Sequence, residues 1–230
     1  IPEDLVKQIA GGRAVAFVGA GLSQVAVRTN GHNLPDWPGL MRELLAWAAA
    51  RGALRYPQAD LETLIQAGKY VPVAQELRDC LGESRFRDFM SQVFRDPALR
   101  PTPAHQRVAE IGFSAIVTTN YDKLLEAVCI QPGGTSWLTF TQDDVARLEE
   151  MGRNPQPFIL KAHGDIDRMN VILGKRDYRG LRFANDAYQD ALKGLFRYQT
   201  VLFLGYGLGD PDLADLLDAL NVIYHGYTGQ

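Results

Sequence analysis

Four short apolar runs, each stopped by a polar or glycine-rich turn, constrain this chain more than any other feature. Ala14–Val18 leads into Gly19-Ala20-Gly21, and Ala115–Thr119 leads into Asn120-Tyr121-Asp122. Phe158–Lys161 leads into Ala162-His163-Gly164, and Val201–Leu204 into Gly205-Tyr206-Gly207. Each run has the length of a strand, and near-continuous apolarity suits a parallel strand covered on both faces. Val171-Ile172-Leu173 is a further run of the same kind. Helical patterns lie between the runs. Leu5 and Ile9 form an amphipathic opening, and Leu40, Leu44, Leu45, Trp47 and Ala48 share one face before Gly52. Lys123 to Val128 follows the second turn directly, and Leu213, Leu216, Leu217 and Leu220 recur at helical spacing near the end. Strands alternating with helices predict an α/β fold, a Rossmann-like parallel sheet flanked by helices.

The interval from Ser23 to Glu110 is long for one crossover. Its helical stretches, Leu61–Lys69, Val73–Leu81 and Arg85–Val93, read as a helical insertion spanning roughly residues 40–105 of a single 1–230 domain. Arg95–Pro103, with prolines at 97, 101 and 103, brings the chain back to the sheet. Thr135–Pro157 is less regular and reads as a loop with a short helix.

Composition narrows the function. With 46% apolar and 22% charged residues the chain is no disordered segment, and a net charge of -3 argues against a basic grip on nucleic acid. No stretch reaches the ~18 consecutive apolar residues of a membrane span. The N-terminus lacks a basic-then-apolar signal region, so the cytoplasm is the expected compartment. The chain begins with Ile1, which suggests a piece of a longer protein. Cys80 and Cys129 are its only thiols; they cannot build a cysteine-ligated zinc site, so neither a zinc module nor a disulfide framework is expected.

Open parallel sheets bind ligands beyond the carboxyl ends of their strands, where all four turns fall. The small residues of Gly19-Ala20-Gly21-Leu22-Ser23 admit a phosphate close to the backbone, although Gln24 stands where a dinucleotide fingerprint has its third glycine. Asn120 carries a donor and an acceptor, and Asp122 is an acceptor; either also serves as a helix cap. His163 sits at a strand end, where an imidazole can move a proton near neutral pH. His32, His105 and His225 lack such a setting and read as surface or packing residues. Gly205-Tyr206-Gly207 permits backbone contact with a ligand, while Asp210, Pro211 and Asp212 suit entry into a final helix.

Taken in order, Gly19-Ala20-Gly21-Leu22-Ser23, Thr119-Asn120-Tyr121-Asp122, His163-Gly164 and Gly205-Tyr206-Gly207 resemble the sirtuin-like family over about residues 13–220. Leu34-Pro35-Asp36-Trp37 is similar to that family's Ile-Pro-Asp-Phe segment. The match is better with the divergent bacterial branch of anti-phage defence proteins, whose motifs Thr118–Asp122, His163–Asp165 and Gly205–Asp212 reproduce. The resemblance implies an NAD-cleaving effector, fused to or partnered with a sensor module and acting as a homo-oligomer, with NAD as substrate and no zinc.

It also implies roles. Gly19, Ala20, Gly21 and Ser23 would contact the diphosphate, Asn120 would orient water or ribose hydroxyls, and His163 would polarise a hydroxyl or activate the water. Asp36, Trp37 and Asp122 would lie near the nicotinamide, and Gly205, Tyr206, Gly207 and Asp210 near the adenosine. The chain departs from protein-deacylating sirtuins in lacking the zinc cysteines and in having Pro38 where an Arg usually follows the aromatic residue. An NAD-dependent deacylase and a non-enzymatic NAD or ADP-ribose sensor are the alternatives. A dehydrogenase fits less well, because the glycine fingerprint is incomplete and a long insertion follows the first run.

Overall fold

The computed structural model describes residues 2–130, 136–144, 147, 156–183 and 186–207. Among these residues five strands form one parallel sheet: β1 (Ala14–Val18), β2 (Ala115–Thr118), β3 (Leu138–Thr141), β4 (Phe158–Lys161) and β5 (Thr200–Leu204), in the order β3-β4-β2-β1-β5. Every residue of β1, β2 and β4 is buried, as continuous apolar runs require of strands covered on both faces. Val15, Phe17, Val117 and Leu160 pack on one face; Ala14, Ala16, Val18, Ile116 and Ile159 pack on the other.

The register decides where the turns emerge. Val18 pairs with Thr118 and with Leu204, Thr118 pairs with Lys161, and Lys161 pairs with Thr141. The strands therefore end in one row. The chain leaves β1 toward β2 on one side and returns to β5 on the other, so a crevice opens beyond the end of β1.

Helix α1 (Glu3–Ala10) precedes the sheet, and α2 (Trp37–Ala49), α3 (Gln58–Gln66) and α4 (Tyr70–Phe94) form a layer between β1 and β2. Asp36 caps α2 by accepting from the Gly39 N–H at 2.9 Å, with Pro38 in the first turn. Leu40, Leu44 and Leu45 of α2 bury against Val73, Leu77 and Phe89 of α4. Gly82, at φ 74° and ψ 162°, kinks α4 between the two stretches that periodicity separates. Helix α5 (Pro103–Glu110) leads into β2, and α6 (Lys175–Phe183) and α7 (Asp186–Tyr198) cover the Phe17 face through Tyr178, Tyr188 and Leu192.

Local expectation and structure part at several places. Lys123–Val128 forms turns in place of a regular helix. The carbonyls that would open that helix, on Tyr121 and Asp122, accept from the Lys161 ammonium. Val171–Leu173 is buried but forms no strand; the Ile172 N–H donates to the His163 carbonyl and its own carbonyl accepts from the Tyr121 hydroxyl. Conversely, β3 lies in the segment read as irregular, and α6 and α7 were not anticipated. The final helix expected around Leu213–Leu220 falls outside the described residues.

The Gly82 backbone occupies a region essentially restricted to glycine, yet no atom stands within 4 Å of where a Cβ would be. Gly82→Ala is therefore expected to cost about 1–3 kcal/mol from backbone strain alone, read as a lower urea midpoint with an unchanged m-value.

Candidate active site

The first and last turns are pressed together, backbone on backbone. The Gly19 N–H donates to the Leu204 carbonyl at 3.0 Å, and the Gly21 N–H donates to the Gly205 carbonyl at 2.8 Å. A Cβ on Gly19 or on Gly21 would stand 2.7 Å from the Gly205 carbonyl oxygen, and Gly205 itself has φ +60°. These glycines are thus required by the contact between turns before any ligand is considered. The N–H groups of Leu22, Ser23 and Gln24 close local turns onto Gly19 and Ala20. Among the described residues, the Ala20 N–H is the one in this turn that meets no acceptor.

Asn120 is buried, at 7% exposure, and its orientation is set by its donors. Its Nδ2 donates to the Gly19 carbonyl and to Ser23 Oγ, both at 3.1 Å. The opposite amide orientation would place Oδ1 against a carbonyl, so Oδ1 is the polar atom left to a ligand. Ser23 Oγ lies also 3.1 Å from Nε2 of His105. The His105 Nδ1 accepts from the Thr102 N–H at 3.2 Å, which puts the ring proton on Nε2 and makes that nitrogen the donor to Ser23. With both lone pairs of Ser23 filled, its own O–H proton is free to reach outward. Burial lowers the His105 pKa, the nearby Asp122 charge opposing it, so this imidazole is neutral.

His105 is fully buried beneath the site, where sequence reasoning read an ordinary packing residue. The Thr-Pro-Ala-His opening of α5 signals a capping box with His in the Glu/Gln place. Nothing in the sequence connects it to Ser23, 82 residues away.

Asp122 is buried, and its Oδ1 accepts from the Leu124 N–H at 3.0 Å. His163, also 7% exposed, meets the Tyr178 ring edge-on at 5.5 Å, and Tyr178 stacks on Trp37. Behind these turns lies a charge cluster of Lys161, Lys123, Glu126 and Asp165. Burial works against ionising Asp165, but the Lys161 charge and the Lys123 hydrogen bond and charge prevail and draw its pKa from 3.8 to about 2.

The four turns enclose one cavity of about 550 Å³, within the range of small-molecule sites. Ala20, Gly21 and Ser23 line it from the first turn, Asn120 and Asp122 from the second, and His163 from the third. Gly205, Tyr206 and Gly207 line it from the last turn, and Asp36 and Trp37 from the entry to α2. Gly19 contributes the carbonyl that holds Asn120. The Tyr206 ring packs edge-on against Phe17 at 5.0 Å, anchoring that turn in the core. Asp210 lies outside the described residues. Tyr70 and Phe94 of α4 close the far wall, which the sequence did not suggest. Among the described residues no Lys or Arg lines the cavity, and no group of three or more His, Cys, Asp or Glu is placed to hold a metal ion.

A family model described as a SIR2-like domain matches residues 114–226. Over that stretch, just under half of the chain, the sequence is similar to a SIR2-like domain. Relatives extend the similarity across nearly the whole chain. Defense-associated sirtuin 2 of Bacillus subtilis is 25% identical over 224 residues, covering 94% of this chain and 20% of the relative. NAD(+) hydrolase ThsA of Cytobacillus dafuensis is 27% identical over 222 residues, covering 96% of this chain and 40% of the relative. NAD(+) hydrolase ThsA of Bacillus cereus (strain MSX-D12) is 26% identical over 223 residues, covering 96% and 43%. The chain thus spans between a fifth and somewhat over two fifths of the length of these relatives.

The Asp165 shift carries a pH signature for the fold. Its folded pKa is depressed, so its stabilisation is complete above 3.8 and is lost as pH falls from there to about 2. Asp165→Asn is expected to remove about 2–3 kcal/mol at neutral pH and to flatten the acid limb of the stability curve, measured by urea unfolding across that window.

Proposed function

We propose that this SIR2-like domain hydrolyses NAD to nicotinamide and ADP-ribose, as the NAD-depleting effector part of a longer anti-phage defence protein. The observation that carries the reading is a single cavity walled by Ala20, Ser23, Asn120 and His163, in a chain whose relatives include proteins named NAD(+) hydrolase. The bond from ribose C1′ to the pyridinium nitrogen already has a good leaving group, so the transition state resembles an oxocarbenium ion. That bond breaks with its electron pair passing to nicotinamide, a bond from C1′ to the water oxygen forms, and the water gives up a proton.

Few protein groups are needed. Asn120 Oδ1 accepts from the attacking water or a ribose hydroxyl, and His163 polarises a hydroxyl or takes the water's proton. The Ala20 N–H and the Ser23 O–H donate to the diphosphate, with Gly19 and Gly21 leaving it room. Asp36 and Asp122 stand at the nicotinamide end, where a cationic ring gains from carboxylates, and Trp37 closes over it. Gly205, Tyr206 and Gly207 line the adenosine end, with Asp210 toward the adenine ribose. The greater length of the relatives supports a sensor domain or partner, and action as a homo-oligomer belongs to the same proposal. The free thiols Cys80 and Cys129 suit the reducing cytoplasm.

Full-length protein under activating conditions is expected to release nicotinamide from NAD. Folded Asn120→Ala and His163→Ala variants are each expected to lose ~10²-fold or more. Turnover that survives both substitutions would remove these residues from the chemistry. Deacylation of a peptide with formation of O-acyl-ADP-ribose would replace hydrolysis as the activity.

A further inference from the structure

The geometry points to Lys161, which belongs to none of the turn motifs, as the positioning residue that holds the Asn120 turn and the His163 turn in one arrangement. The inference rests on the NAD-cleaving reading of the cavity and adds a group that does not touch substrate. Lys161 ends β4 two residues before His163, and its register partner Thr118 ends β2 two residues before Asn120. Its side chain is 0% exposed.

An ammonium has three N–H donors, and this one has an acceptor for each: the Tyr121 carbonyl at 3.1 Å, the Asp122 carbonyl at 2.5 Å and Glu126 Oε1 at 3.0 Å. The first two belong to the residues directly after Asn120. Held this way, they turn toward Lys161, and the chain passes Asn120 in an open turn. Asn120 then keeps Nδ2 on both Gly19 and Ser23.

The other turn hangs on the same group. Asp165, two residues after His163, has Oδ2 3.2 Å from the Lys161 ammonium and 2.8 Å from that of Lys123. The Ile166 N–H donates across to the Tyr121 carbonyl at 3.3 Å. Lys161 and Lys123 balance Glu126 and Asp165 in charge, but Lys123 is 40% exposed, so the buried part of the balance falls on Lys161. Removing its ammonium leaves the Asp122 carbonyl without a donor, and takes one donor each from the Tyr121 carbonyl, which keeps the Ile166 N–H, and from Glu126 Oε1, which keeps Lys123; the Tyr121–Asp122 segment is then expected to move. Small displacements of positioned groups are costly to rate, ~10²-fold for about 1 Å.

The test compares the full-length wild type with Lys161→Met and with Lys161→Met/Glu126→Gln, in which the loss of one cation is matched by the loss of one anion. The double variant is expected to recover thermal stability relative to Lys161→Met. Its kcat for nicotinamide release is expected to stay about 10²-fold down, with KM for NAD within about threefold of wild type, the pattern of lost transition-state positioning without lost binding. A kcat that returns with stability, or a Lys161→Met enzyme at wild-type rate, would overturn the inference. Amide hydrogen exchange gives a readout independent of turnover. Leu124 and Ile166 should lose protection in the double variant while Gly21 and Ala162 keep theirs; unchanged protection at Leu124 and Ile166 also overturns it. If the wild type itself releases no nicotinamide, the NAD reading fails, and exchange still decides whether Lys161 ties the two turns.

Discussion

Five parallel strands ending in one row are the constraint from which the rest of this molecule follows. Apolar side chains on both faces of β1, β2 and β4 hold the register, because a slip by one residue would exchange every side chain between faces. Val18, Thr118, Lys161 and Leu204 thereby reach the same edge, and their turns meet over the crevice beside β1. The contact between the Gly19–Gly21 and Gly205 turns needs bare backbone on both sides, so the glycines serve packing and access together.

What those turns offer a ligand is decided by a chain of committed hydrogen bonds. It runs from Thr102 through His105 and Ser23 to Asn120 and the Gly19 carbonyl. Each link uses up a donor or acceptor and so assigns the direction of the next. The atoms left over are an N–H on Ala20, an O–H on Ser23 and a carbonyl oxygen on Asn120: two donors suited to an anion and one acceptor suited to a hydroxyl or water. A buried network satisfied link by link is rigid, because any member that turned would leave an unpaired group in a low-dielectric setting.

The helical layer closes the cavity's far wall, and its attachment to the sheet is polar as well as apolar. Arg78 pairs with Asp177, Arg176 with Asp79 and Arg95 with Asp167, joining α4 and the segment after it to the region that follows β4. The exposed pairs among these, Arg176–Asp79 and Arg95–Asp167, contribute little singly. The apolar cluster that joins α2 and α4 to Tyr121, Leu124, Ile166, Val171 and Leu173 supplies most of the hold, with Phe94 meeting the Tyr121 ring edge-on at 5.2 Å.

Much of this could be read from the residues in order. Apolar runs are local signals, so β1, β2, β4 and β5, the amphipathic α2 and the four strand-end turns were legible, and with them the part of the cavity lining those turns supply. Weak local signals failed: β3 has a single fully apolar buried residue, Phe140, between threonines, and α6 carries a charge-rich sequence around Tyr178 and Leu181. Lys123–Val128 shows a sound helical pattern that yields only turns, with the carbonyls just before it facing an ammonium from another strand. His105 and Lys161 look ordinary where they stand, and their meaning lies in partners far away along the chain. Which hydroxyl His105 orients, and which carbonyls Lys161 holds, depends on the spatial order β3-β4-β2-β1-β5; hydrogen bonds act between neighbours in space, and that order is set by long-range packing that no short stretch of residues encodes.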